Sequence, residues 1–122
     1  IIMREQQRNL EPGVRPYAEE IKKFEESDFI VIYGSILEKN DFRDVDVLFI
    51  TKNVKRVHDF CLEVNKIRRK PIDPLIMTKE DFTSNIKKKD PVLLDIILKG
   101  IVIKGEDKFM EALQNGQKQE KF

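Results

Sequence analysis

The order of apolar and polar positions divides the chain into short elements. Pro16, Tyr17, Ala18, Ile21 and Phe24 recur at helical spacing, with Pro16 suited to a first turn, and predict an amphipathic helix ending near Ser27. Phe29 to Tyr33 is an unbroken apolar run of strand length that Gly34-Ser35 interrupts. After a short turn or helical piece, Val45 to Ile50 forms a second β-rich run. Val54, Val57, Phe60, Cys61, Val64 and Ile67 then make a helical stripe, closed by Arg68-Arg69-Lys70 at the negative end of the helix dipole.

Pro71 to Met77 reads as a third strand, and because Pro71 and Pro74 each remove a ladder donor it belongs at an edge or in an irregular position. Thr78 opens Thr-Lys-Glu-Asp as an N-cap for a helix carrying Phe82 and Ile86. Asp90-Pro91 is a second cap and first-turn pair, leading the apolar helix Val92 to Leu98. Gly100 ends it, Ile101 to Ile103 is a short strand, and Gly105 turns the chain into a last helix around Phe109 to Leu113. Residues 1–14, with the turn signal Pro12-Gly13, are expected to form a flexible arm, 15–114 one domain and 115–122 a polar tail. Strands mixed with helices in this order predict an α/β (α+β) domain.

A length of 122 residues allows one core. The charged fraction of 37% exceeds the roughly 25% of typical soluble domains, so the surface must be densely charged. With 23 basic and 22 acidic side chains, the net charge of +1 gives no general attraction to nucleic acid or anionic membrane. Any nucleic-acid contact would have to be local. Cys61 has no partner cysteine and no zinc-type cluster accompanies it, which fits a reducing, cytoplasmic setting. The apolar runs fall far short of the roughly 20 residues that cross a bilayer, so no membrane association is expected.

The informative stretch is Phe29 to Ser35 followed by Asp44-Val45-Asp46-Val47-Leu48-Phe49-Ile50. Side chains two apart on a strand share a face, which sets the Asp44 and Asp46 carboxylates side by side. Their repulsion in an apolar strand calls for a cation, and a hard divalent ion with oxygen ligands is the natural occupant. Gly34 permits close approach of the backbone, and exposed amides after a strand can hold phosphate oxygens. Carboxylates for metal and amides for phosphate point to a nucleoside triphosphate.

In these residues the chain resembles the DNA polymerase beta nucleotidyltransferase superfamily, and within it the minimal nucleotidyltransferases. The signature is an apolar strand ending in Gly-Ser, an Asp-x-Asp strand and a third carboxylate. Gly34-Ser35 and Asp44-Val45-Asp46 match the first two, and Asp73 in Pro-Ile-Asp-Pro-Leu-Ile lies where the third is expected. The resemblance implies a nucleotidyltransferase fold, a short mixed sheet with helices mainly on one face. It also implies two Mg2+ or Mn2+ ions held by Asp44, Asp46 and Asp73, and transfer of a nucleoside monophosphate, AMP from ATP, to a hydroxyl. Such proteins often act as antitoxins on a helical toxin partner, so a partner protein beside the site is a further expectation. Where the family has an Arg after Gly-Ser and a Ser before Asp-x-Asp, this chain has Ile36-Leu37-Glu38-Lys39 and Arg43, leaving Lys39 or Arg43 to contact the triphosphate.

Two rival functions are a catalytically silent subunit that uses the fold to hold a partner, and a metal-dependent nuclease. Gly34-Ser35 ahead of the carboxylates speaks against the nuclease. Gly100 to Asp107 superficially approaches a phosphate loop, but Glu106 stands where the lysine belongs and Ile101-Val102-Ile103 favours strand. His58 reads as a surface residue and Cys61 as core. Arg68-Arg69-Lys70 and Lys87-Lys88-Lys89 read as solvated helix ends, with phosphate or RNA contact as the alternative.

Overall fold

A computed structural model describes residues 13–38 and 41–117. In chain order the elements are α1 (Arg15–Ile21), β1 (Ile30–Tyr33), β2 (Val45–Ile50), α2 (Val54–Ile67), β3 (Ile72–Met77), α3 (Lys79–Lys87), α4 (Pro91–Lys99), β4 (Ile101–Lys104) and α5 (Glu106–Gln117), with one turn of 3-10 helix at Ser35–Leu37. The strands form one sheet in the order β3-β2-β1-β4. β1 runs antiparallel to both β2 and β4, whereas β2 and β3 are parallel and need the crossover that α2 provides. The α/β class and the short mixed sheet therefore agree with expectation.

The helices divide between the faces instead of lying mainly on one. Ile30, Ile32, Val45, Val47, Phe49, Ile72, Ile101 and Ile103 face α1 and α2. Phe29, Val31, Leu48, Ile50 and Val102 face α3, α4 and α5. The reason lies in the strand composition. β1 and β2 are apolar on consecutive residues, so each presents a hydrophobic side to both layers and both must be covered. Each layer carries an aromatic cluster: Phe24 packs on Phe49 and Phe60 at 5.5 and 5.2 Å between centroids, and Phe29 on Phe82 and Phe109 at 5.0 and 5.4 Å.

Both expected caps form. Thr78 Oγ1 accepts from the Asp81 amide at 3.1 Å, and Asp90 Oδ1 accepts from the Val92 amide at 2.9 Å. α1 stops earlier than its apolar spacing suggests, because the Lys23 and Phe24 amides bond three residues back, to Glu20 and Ile21, and tighten the turn. Val14, assigned to the arm, is buried in the core. α5 runs on to Gln117, through three positions assigned to the polar tail. Gly116 is the cause: a Cβ there would lie 2.6 Å from Ile86, so only glycine lets this turn close on α3. Among the described residues no helix is long and apolar enough to cross a membrane.

β3 is an edge strand, as its prolines required, and it is regular. The Pro71 and Met77 carbonyls accept from the Val45 and Thr51 amides, so odd-numbered residues of β3 turn their backbone groups toward β2. Pro74, an even position, has its missing donor on the open side, where no ladder bond is lost. The amide of Ile72, on that same side, donates to Asn65 Oδ1 at 2.9 Å.

Candidate metal centre

The register assembles the site. Tyr33 pairs with Asp46, and Asp46 pairs with Asp73, so three side chains stand in one row across β1, β2 and β3 on the α3–α5 face. Asp44, two residues before Asp46, shares that face at the mouth of β2. The three aspartates each offer an oxygen, and these atoms lie within 4.8 Å of one another. Asp44 and Asp46 are half-buried and Asp73 is exposed, which leaves the cluster open on the β3 side.

Asp46, the middle carboxylate of the row, feels the other two most directly. Burial, followed by the charges of Asp44 and Asp73, pushes the Asp46 carboxyl above its ordinary 3.8, and a hydrogen bond with Asp73 acts in the same direction. Tyr33 is pushed up to about 12, first by its own burial and then by the charges of Asp46, Asp73 and Asp44. Its hydroxyl therefore stays protonated at neutral pH and is a donor beside an excess of acceptors.

Gly34 has a more demanding role than backbone approach alone. Its φ of 87° and ψ of −157° lie where only glycine is comfortable, and a Cβ there would stand 2.2 Å from Asp46 Oδ2. The space left by the missing side chain is occupied by the Asp46 carboxylate. Ser35 begins the 3-10 turn, which is closed by the Leu37 and Glu38 amides donating to the Gly34 and Ser35 carbonyls at 3.1 and 3.0 Å. This turn also buries Ile36 in the core, so the position after Gly34-Ser35 serves packing.

No known family model and no curated protein matches this chain.

The site must accordingly be judged on its own chemistry. An all-oxygen set of carboxylates, close enough to share one ion and partly desolvated, suits a hard divalent cation and not a soft metal needing thiolate or imidazole. His58 is exposed on α2, and Cys61 lies in the α1/α2 core with its thiol pushed up to about 11 by burial. Arg43 is exposed immediately before Asp44, and Lys39 lies outside the described residues. Tyr33 was missed in the sequence, where it read as the end of an apolar run. Its parity with Phe29 and Val31 was visible, but the pairing with Asp46 depends on strand register.

Proposed function

We propose that this domain is a divalent-metal-dependent nucleotidyltransferase, moving a nucleoside monophosphate from a triphosphate to a hydroxyl acceptor. The observation that carries the reading is the convergence of Asp44, Asp46 and Asp73, from two neighbouring strands, beside the Gly34-Ser35 turn. Bound Mg2+ or Mn2+ would supply Lewis-acid stabilisation of phosphoryl oxygens and a lower pKa for the acceptor hydroxyl. Asp44, Asp46 and Asp73 would hold the ions, with Asp46 central because it lies between the other ligand strand and Tyr33.

The chain's own groups divide the remaining tasks. Gly34 keeps the Asp46 carboxylate in place by leaving it room. Tyr33, held protonated, can donate to a phosphate or carboxylate oxygen in the row. Ser35 offers a hydroxyl at the start of the turn, and Arg43 a cation for the triphosphate at the mouth of β2. The likeness of Gly34-Ser35, Asp44-Val45-Asp46 and Asp73 to minimal nucleotidyltransferases supports the same reading.

One observation favours a second reading, a catalytically silent binding subunit. The turn after Ser35 carries Ile36 and Leu37 where the family has an arginine, and Ile36 is committed to the core. Calorimetry with Mg2+ and ATP, and label transfer from radiolabelled nucleotides in cell extract, separate the two. The nucleotidyltransferase binds metal better with nucleotide than alone, loses that coupling in Asp44→Asn and Asp46→Asn, and labels an acceptor. A silent subunit labels nothing. Unchanged nucleotide-dependent metal binding in both variants removes the proposal.

A further inference from the structure

A second concave feature lies on the other side of the sheet's end, against α1 and the C-terminus of α2. It is a groove of about 510 Å³, within the size range of small-ligand sites. Tyr17 and Phe42 form its aromatic part, edge to face with centroids 6.1 Å apart. The Tyr17 ring is fixed from behind, because its hydroxyl donates to the Lys70 carbonyl at 3.1 Å and accepts from the Lys70 amide at 2.9 Å. Phe42 remains half-buried, so part of its ring is available to a ligand.

The opposite wall is basic. Arg68, Arg69 and Lys70 follow one another along it. A terminal nitrogen of Arg68 is 3.6 Å from Glu20, but its Nε is buried without a hydrogen-bond partner. Arg69 and Lys70 form no ion pair among the described residues. Among the described residues that line the groove, Asp41 is the one acidic side chain. At its edge Ile67 is 61% exposed, an uncovered apolar surface beside the cations.

An aromatic pair with one ring tethered to the backbone, next to a run of cations of which Arg69 and Lys70 form no ion pair among the described residues, matches an anionic polymer whose repeating unit carries a flat apolar face. We propose that this groove binds single-stranded nucleic acid, with Arg68, Arg69 and Lys70 taking the phosphates and Phe42 stacking on an unpaired base. A duplex hides its base faces and lacks that second contact. The near-neutral charge of the whole chain fits a local site and not a broad electrostatic one. The groove shares no residue with the carboxylate cluster, so its occupation does not require metal and stands apart from the nucleotidyltransferase reading.

Fluorescence anisotropy with a labelled single-stranded RNA of about ten nucleotides, in EDTA and at several salt concentrations, tests the assignment. The full chain should bind the single strand better than the duplex of the same sequence, with a log–log salt slope of about −2 for three phosphate contacts. The Arg69→Ala/Lys70→Ala double variant should bind about tenfold more weakly, with the slope reduced to about −0.7. Phe42→Leu, which keeps apolar bulk, should weaken binding and leave the slope unchanged. Circular dichroism establishes that each variant is folded. Absence of binding by the wild type at low salt, equal binding of duplex, wild-type affinity in the double variant, or displacement of RNA by polyglutamate as readily as by unlabelled RNA each overturns the proposal. Asp44→Asn should leave RNA binding in EDTA intact, so loss of metal binding and loss of RNA binding report separately on the two sites.

Discussion

Replacing Asp46 by Asn removes the central charge of the carboxylate row while keeping its shape, and should stabilise the protein when no metal is present. Two unit charges at the 4.8 Å limit within which the ligand oxygens lie repel by about 0.9 kcal/mol in bulk water and by about 3.5 kcal/mol at an effective dielectric of 20. Asp73 is exposed and salt screens the cluster, so the lower figure governs, and a gain of about 1 kcal/mol is expected. For a domain of this size that raises Tm by about 4 °C. Mg2+ should act in the opposite pattern. At ten times its Kd it adds about 1.4 kcal/mol to the wild type by mass action and little to the variant.

The pH dependence follows from the raised Asp46 pKa. The folded state holds this proton at a pH where the unfolded chain has lost it, so the contribution of Asp46 to the stability of the metal-free wild type grows as pH falls through the folded value toward 3.8. That contribution is complete below 3.8 and is lost as pH rises through the folded value, so the advantage of Asp46→Asn should vanish in acid. Thermal melts of both proteins from pH 4 to 8 in EDTA and in Mg2+ measure all of this. A lower Tm for Asp46→Asn without metal, or equal Mg2+ shifts in the two proteins, would refute the reasoning.

Gly34→Ala should lower stability by about 1–3 kcal/mol and reduce metal affinity, because the new methyl meets Asp46 Oδ2 in a backbone region that disfavours side chains; calorimetry and melts read both. Asp73→Asn, on the open side of the cluster, should slow label transfer roughly a hundredfold with little change in nucleotide affinity, and normal turnover would exclude it from the mechanism. Lys89 adopts φ 57° after α3, so Lys89→Gly should raise stability by about 1 kcal/mol, a gain that denaturant midpoints at constant m-value would detect.

The sequence carried the elements whose cause is local. Val45–Ile50 and Val54–Ile67 fall where period and turn residues put them, and Thr78 and Asp90 cap their helices because capping uses only the next few residues. What escaped depends on partners distant in the chain. The continuation of α5 rests on Gly116 meeting Ile86, and the burial of Val14 on the α1 and α2 layer. Ile67 and Val54 fit the helical stripe of α2 yet are exposed, since they lie at its two ends, beyond Val57, Phe60, Cys61 and Val64, which pack against the core. Asp44 and Asp46 were legible as a pair because a strand repeats every two residues. The proximity of Asp73 was legible only through resemblance, for it arises from the parallel register of β2 with β3.

That register also explains why the carboxylates sit where the fold can tolerate them. At the start of β2 and β3 the row borders solvent, whereas two rungs further on Leu48 and Leu75 occupy the same face inside the α3–α5 core. An aspartate at Leu48 would have to shed its hydration entirely, a penalty of several kcal/mol, and would be protonated instead. At Asp46 desolvation is only partial, and together with the neighbouring charges of Asp44 and Asp73 it raises the carboxyl's proton affinity. Pro74, one residue beyond Asp73, blocks pairing of a further strand on the open edge without disturbing the β2 ladder, which keeps approach to Asp73 clear. The strain of adjacent charges is thus held by rigid strands at the sheet's margin, and a divalent cation is the simplest species that would relieve it.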